Sequence, residues 1–220
     1  MCGRFALFAD IKQIEEHFQL RRGFIMRPRY NIAPTQMIPI ITTLGRGVVF
    51  SRWSFLPHWA KAQDGQMPQG YINARQETLL EKPTFKQAAL KKRCIVPISG
   101  YYEWKALGGK KQPFYIFSPG RAVLGLAGIW SVWHEKQSEE ENTCAVITIA
   151  SGDKLSAIHE RKPVILQPKD YEAWLDPKSN ETQISDCFEA ALDEQLLKAY
   201  PVSPQMNAPS FDLKECVSPL

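Results

Sequence analysis

Between residues 37 and 150 the chain carries six β-branched or aromatic runs, each bounded by turn signals, with no regular strand–helix–strand alternation. These runs span 37–43, 47–55, 93–98, 113–118, 122–130 and 144–150. Strands in that order, without crossover helices, pair mostly antiparallel and curl on themselves. The stretches 105–111, with Gly108-Gly109, and 134–142 read as hairpin loops. Apolar residues at helical spacing place peripheral helices outside this block. One is capped by Asp10 and carries Ile11, Ile14 and Phe18, ending near 21–23. Others span 153–159, 169–175 and 185–200, the last with Phe188, Leu192 and Leu196 on one stripe. The tail at 204–220 is proline-punctuated and reads as irregular. The expected fold is a single α+β domain over 1–220, a mostly antiparallel, barrel-like sheet with helices around it.

At 220 residues the chain can bury a sizeable core without staples. The net charge of +4 permits an anionic partner without demanding one. Five scattered cysteines, an odd number with no Cys-x-x-Cys pair, argue against a disulfide framework or a zinc site and for a reducing cytoplasm. Residues 1–10 lack the apolar core of a signal peptide, and no apolar run is long enough to span a bilayer. A cytoplasmic monomer with no metal, no cofactor and no membrane partner is expected.

Cys2 stands directly behind the initiator methionine. Trimming Met1 would leave an α-amine and a thiol on adjacent carbons, a pair no internal residue offers. Such an aminothiol condenses with an aldehyde to an imine, which the thiol closes into a thiazolidine ring. With a pKa near 7.7, roughly a third of the amine is unprotonated at pH 7.4, against about a thousandth of an ordinary lysine. The thiol, near 8.5 when unperturbed, is expected to be pulled lower by Arg4.

Four segments set unlike polar residues among apolar ones: the N-terminus, 71–78, 100–104 and 157–163. In an extended 101–104 stretch, Glu103 shares a face with Tyr101, while Tyr102 and Trp104 share the other. Aromatic crowding should raise a Glu103 carboxyl towards acid–base use; the plainer reading is an edge-strand glutamate facing water. His159 near a helix end is a proton shuttle or a histidine satisfied by a local carbonyl. Asn73 and Arg75 share a face if their segment is extended, and otherwise are a turn amide and a solvated cation. Arg4, Arg52, Arg75, Arg161 and Lys91-Lys92-Arg93 form a phosphate-binding surface or merely a solvated one. Trp53, Trp59 and Trp104 stack on bases or fill the core. Thr148 interrupts an apolar series and is a DNA contact or merely part of a polar, exposed face. His17, His58 and His134 read as structural or surface residues.

Taken together, six ordered motifs narrow the choice. They are Met1-Cys2-Gly3-Arg4-Phe5, Arg29-Tyr30-Asn31-Ile32-Ala33-Pro34, Ile72-Asn73-Ala74-Arg75-x-Glu77-Thr78, Arg93-Cys94-Ile95-Val96-Pro97 running into Gly100-Tyr101-Tyr102-Glu103-Trp104, Leu126-Ala127-Gly128-Ile129-Trp130, and Ile158-His159-Glu160-Arg161-x-Pro163. This series resembles the abasic-site processing family, the SRAP (SOS-response-associated peptidase) domain, in a bacterial-type member. The resemblance implies suicidal DNA repair, in which Cys2 captures the aldehyde of an abasic site in single-stranded DNA, with or without a nearby duplex junction. It implies that Asn73 bonds the opened sugar, that Glu103 assists ring opening and imine formation, and that His159 assists proton transfer and crosslink reversal. Arg4, Arg75 and Arg161 are implied phosphate contacts, and an autopeptidase activity would release residue 1. Ser54 stands where the family usually has glycine, which bears on the aromatic wedge at 53–59, and Ser99 lies at a variable position. Two other classes remain: a noncovalent single-strand nucleic-acid binding module, and a thiol peptidase acting on other proteins.

Overall fold

The computed structural model describes residues 2–21, 24–42, 47–62, 66–134 and 140–220. In chain order the first strands are β1 (Phe5–Leu7), β2 (Arg29–Ile32), β3 (Met37–Thr42), β4 (Val48–Trp53), β5 (Asn73–Arg75), β6 (Arg93–Ile98) and β7 (Gly100–Leu107). The rest are β8 (Lys110–Phe117), β9 (Leu124–Trp133), β10 (Glu141–Ala150), β11 (Arg161–Pro163), β12 (Ile165–Leu166) and β13 (Lys198–Pro201). Helices are short: α1 (Ile11–Phe18), α2 (Pro83–Lys91), α3 (Asp153–Ser156), α4 (Tyr171–Leu175) and α5 (Glu181–Glu189).

The apolar runs close into a barrel. Strand β4 pairs with β3, β3 with β6, β6 with β9, β9 with β10, and β10 returns to β4. Closure removes the edges that such hydrophobic strands would otherwise expose. Four of these pairings are antiparallel; β10 meets β4, and also β5, in parallel. Gly128 on β9 is required by close approach, because a Cβ there would lie 2.9 Å from Cys94 Sγ and 3.0 Å from the Ala145 carbonyl oxygen.

A second sheet, in the order β13-β8-β7-β1-β2, packs beside the barrel. Strand alternation splits β7 between two cores. Tyr101 joins the barrel core, while Tyr102, with Trp104 against it, joins a smaller cluster containing Ala6, Tyr115, Val202 and Met206.

Helix α1 starts at the expected Asp10 cap, with a reciprocal Asp10–Gln13 capping box, and ends at Gln19 in the left-handed region. The region expected to be one helix at 185–200 divides instead. Asn180 and Gln183 form a capping box that starts α5 earlier, and the helix stops at Glu189. Leu192 is buried, Leu196 is exposed within a 3-10 turn, and the chain leaves as β13. Of the expected stripe only Phe188 lies in the helix; Leu192 is buried beyond its end.

Helix α2 was not expected from the sequence. Pro83 at its first position and Phe85, Ala88 and Ala89 on its buried face account for it. The 105–111 stretch is strand to both sides of a tight Gly108-Gly109 turn with positive φ at both glycines. Asn142 lies in β10, whereas 135–139 of the expected loop lie outside the described residues. The helix expected over 153–159 is only α3, and 168–170 is a 3-10 turn leading into α4. The tail consists of 3-10 turns pinned to the body: Asp212 accepts from the backbone N–H groups of Tyr30 and Asn31. Among the described residues no helix is long and apolar enough to cross a membrane.

Candidate active site

Pairing of β1 with β7 sets the site. Phe5 lies opposite Tyr101 and Ala6 opposite Gly100, and the Tyr102 N–H donates to the Arg4 carbonyl at 2.9 Å. The register carries the start of the chain to the Glu103 end of β7, and the Glu103 charge acts on the Cys2 thiol. Cys2 is fully buried. From the barrel side, β5 pairs with β10 so that Asn73 lies opposite Val146 and Arg75 opposite Thr148. The Asn73 Nδ2 donates to the Cys2 carbonyl oxygen at 2.9 Å.

His159 arrives on the connection from β10 to β11. Its backbone N–H donates to Leu155 O at 2.9 Å, and the Arg161 N–H donates to its Nδ1 at 3.0 Å. A ring nitrogen that accepts leaves the proton of the neutral imidazole on the other one. Nε2 is therefore the donor, and it lies 4.0 Å from Glu103 Oε2. Cys2, Asn73, Glu103 and His159, read from the sequence as one set, converge here. Glu103 and His159 line a cavity of about 410 Å³ together with Trp104, Lys111 and Asn207.

Glu103 is 2% exposed. Burial raises its carboxyl from 4.5 to about 7, against the pull of the amino-terminal charge and the Trp104 N–H. Burial lowers the His159 imidazole, and the amino-terminal charge lowers it further. The Cys2 thiol goes opposite to expectation. Burial pushes it well up, the Glu103 charge adds to this, and the amino-terminal charge only partly offsets it. Arg4 does not lower it as a cation, because its guanidinium is turned inward.

That guanidinium donates to Asn31 Oδ1 at 2.7 Å, Met206 O at 2.8 Å and Asn207 O at 3.4 Å, with the Trp104 ring 5.9 Å away. Arg4 thus ties the tail to the sheet and supports the cavity wall, rather than lying open to a phosphate. Trp53 also departs from its expected role. It is fully buried against Phe5, with its indole N–H on Ile72 O at 2.8 Å, so it is core and not a wedge. Thr148 is likewise fully buried, not on an exposed polar face. Arg161 joins the site edge, held in a bidentate pair with Glu77 and donating to Thr148 O at 2.7 Å. Arg75 is exposed beside it, and Trp59 is 57% exposed. Trp104 lines the cavity and donates to Asn207 Oδ1 at 2.8 Å.

Sequence reading missed Lys111 as a wall residue, because it fell within a supposed loop; the strand alternation of β8 was the available signal. It also missed Glu77 as the partner of Arg161. Among the described residues no group of three His, Cys, Asp or Glu side chains gathers as a metal site would require. The site sets a buried thiol near the start of the chain beside a carboxyl that changes charge near neutrality and a neutral imidazole facing that carboxyl.

The chain matches the family model described as SOS response associated peptidase (SRAP) over residues 1–209. It is similar to the abasic site processing protein YoqW of Bacillus subtilis (strain 168), 35% identical over 223 residues and spanning 99% of both chains. The abasic site processing protein HMCES of Gallus gallus is 30% identical, over 88% of this chain and 67% of that protein. The crystal structure of a protein from Bacteroides thetaiotaomicron matches with a TM-score of 0.89 at 26% identity, covering 100% of both chains.

Proposed function

The chain belongs to the SOS response associated peptidase family, and from that premise we propose that it captures abasic sites in single-stranded DNA covalently, through the amine and thiol of Cys2. Hydrolysis of the Met1-Cys2 peptide bond, by the protein itself, first releases the amine. Glu103 then moves protons at the anomeric centre, opening the sugar to its aldehyde. A carboxyl with a pKa of about 7 holds comparable amounts of acid and base at neutral pH, which suits it to both halves of that step.

The amine adds to the aldehyde carbon, and the resulting hydroxyl leaves as water once protonated, giving an imine. The thiol adds across the C=N bond; its sulfur joins the carbon, and its proton passes to the ring nitrogen through Glu103 or His159. One water leaves in total. Because burial holds the thiol protonated, a neighbouring base is needed for this last step. Asn73 holds the backbone of residue 2, so amine and aldehyde meet in a fixed orientation.

Arg75 and Arg161 at the rim, and the exposed Trp59, would hold the flanking strand, including one beside a duplex junction. The observation that carries the proposal is that Asn73 and Glu103 act on Cys2 while His159 faces Glu103. The test is a denaturing gel after incubation with an oligonucleotide containing one abasic site. Wild type should form a heat-stable shifted species and Cys2→Ala should form none; an unshifted wild type overturns the proposal.

A further inference from the structure

We infer that Glu194 is a positioning residue for His159, holding the connection that presents the imidazole to Glu103. The inference rests on the reading that His159 moves protons in the reaction. Residues 151–160 contain only the one-turn helix α3, too short to be stable alone. The first backbone N–H groups of such a helix need acceptors, and the position that would cap them is Gly152, which has no side chain.

Glu194 fills that role from a distant 3-10 turn. Its carboxylate accepts from the N–H groups of Gly152 at 2.8 Å, Lys154 at 2.9 Å and Leu155 at 3.4 Å, and from Lys162 Nζ at 2.8 Å. One buried carboxylate thus grips the connection on both sides of His159. It is 5% exposed. Glycine at 152 follows from this, since a Cβ there would lie 2.6 Å from Glu194 Oε1. The turn is held in return by Lys154 Nζ on Gln195 O at 2.9 Å and by the Asp193 side chain on the Gln195 N–H.

The grip reaches the ring in two steps. Glu194 fixes the Leu155 N–H, and the Leu155 carbonyl accepts from the N–H groups of Ile158 and His159, both at 2.9 Å. From the other side Lys162 anchors β11, whose Arg161 N–H bonds His159 Nδ1 at 3.0 Å and fixes the tautomer. Loss of the carboxylate should free both ends together.

The experiment is nitrogen-15 spectroscopy of histidine-labelled protein without DNA, comparing wild type, Glu194→Gln and Glu194→Ala, with His17, His58 and His134 as internal references. Wild-type His159 should hold a single Nε2–H tautomer. Glu194→Ala should populate both tautomers and return the imidazole towards its ordinary pKa, with Glu194→Gln shifted less in the same direction. In parallel, Glu194→Ala should slow crosslink formation by about tenfold, with little further loss in a His159→Ala background, as expected for residues acting as a unit. An unchanged His159 spectrum in Glu194→Gln and Glu194→Ala overturns the inference, as do fully additive losses of rate. A wild type that forms no crosslink instead overturns the capture reaction, while the spectra still decide the role of Glu194.

Discussion

The Asn73 side-chain amide donates a 2.9 Å hydrogen bond to the carbonyl oxygen of Cys2. A residue of the barrel thereby fixes the backbone of a residue that precedes the first strand of the neighbouring sheet. In the proposed reaction that bond would orient the α-carbon of Cys2, which bears the amine and adjoins the carbon bearing the thiol. Asn73→Ala should therefore slow capture by about tenfold to a hundredfold at saturating DNA, with DNA affinity changed little. A time course of the shifted species beside an anisotropy titration separates the two effects.

Glu103 should leave a signature in stability as well as in rate. An unfolded glutamate ionises near 4.5 and the folded one near 7. Stability from this group is therefore full below about pH 4.5, is lost as pH rises between the two values, and stays lower above 7. Glu103→Gln removes the burden, so it should become more stable than wild type by up to about 3 kcal/mol at pH 8, and no more stable at pH 4. Melting temperatures across that range check this. The rate of capture should fall above pH 7 for wild type and stay low and flat for the variant.

Two of the three tryptophans expected at DNA should behave differently. Trp53 is fully buried, so Trp53→Ala should lower unfolding stability by about 3–5 kcal/mol. Trp59 is 57% exposed, so Trp59→Ala should change stability by less than about 0.5 kcal/mol while weakening single-strand binding. Urea unfolding and anisotropy distinguish these outcomes.

Arg161 is bidentately paired with Glu77, whose side chain is half-exposed. A phosphate must compete with that carboxylate. Glu77→Gln should tighten binding to intact single-stranded DNA several-fold, and this gain should vanish in an Arg161→Gln background. Arg161→Gln alone should reduce the slope of log K against log salt by about 0.7, one phosphate contact on a single strand. Titrations at three salt concentrations are sufficient.

The barrel was legible because β-branched runs bounded by turn residues have few other ways to bury both faces. The candidate site was legible because Cys2, Asn73, Glu103 and His159 stand in short motifs of unlike polar residues. Burial was harder to read. Arg4, Trp53 and Thr148 carry residue types suited to DNA, yet the pairing of β1 on β7, of β4 on β10 and of β5 on β10 turns them inward. The thiol pKa departs from expectation for the same reason: a cation nearby in sequence says nothing of desolvation, which dominates at Cys2. Helix α5 was misplaced because Leu192 and Leu196 continue the helical spacing by coincidence, whereas the Asn180 capping box is decisive. Glu194 was invisible, because its partners Gly152, Lys154 and Leu155 come from a distant connection.

Intact mass spectrometry of the protein after incubation with an oligonucleotide carrying one abasic site tests the central claim most directly. The expected species is the chain lacking Met1 plus the DNA, less one water, absent with Cys2→Ala and unchanged by borohydride because a closed ring leaves no imine to reduce. Protein shown to lack Met1 that yields only the unmodified mass would contradict it.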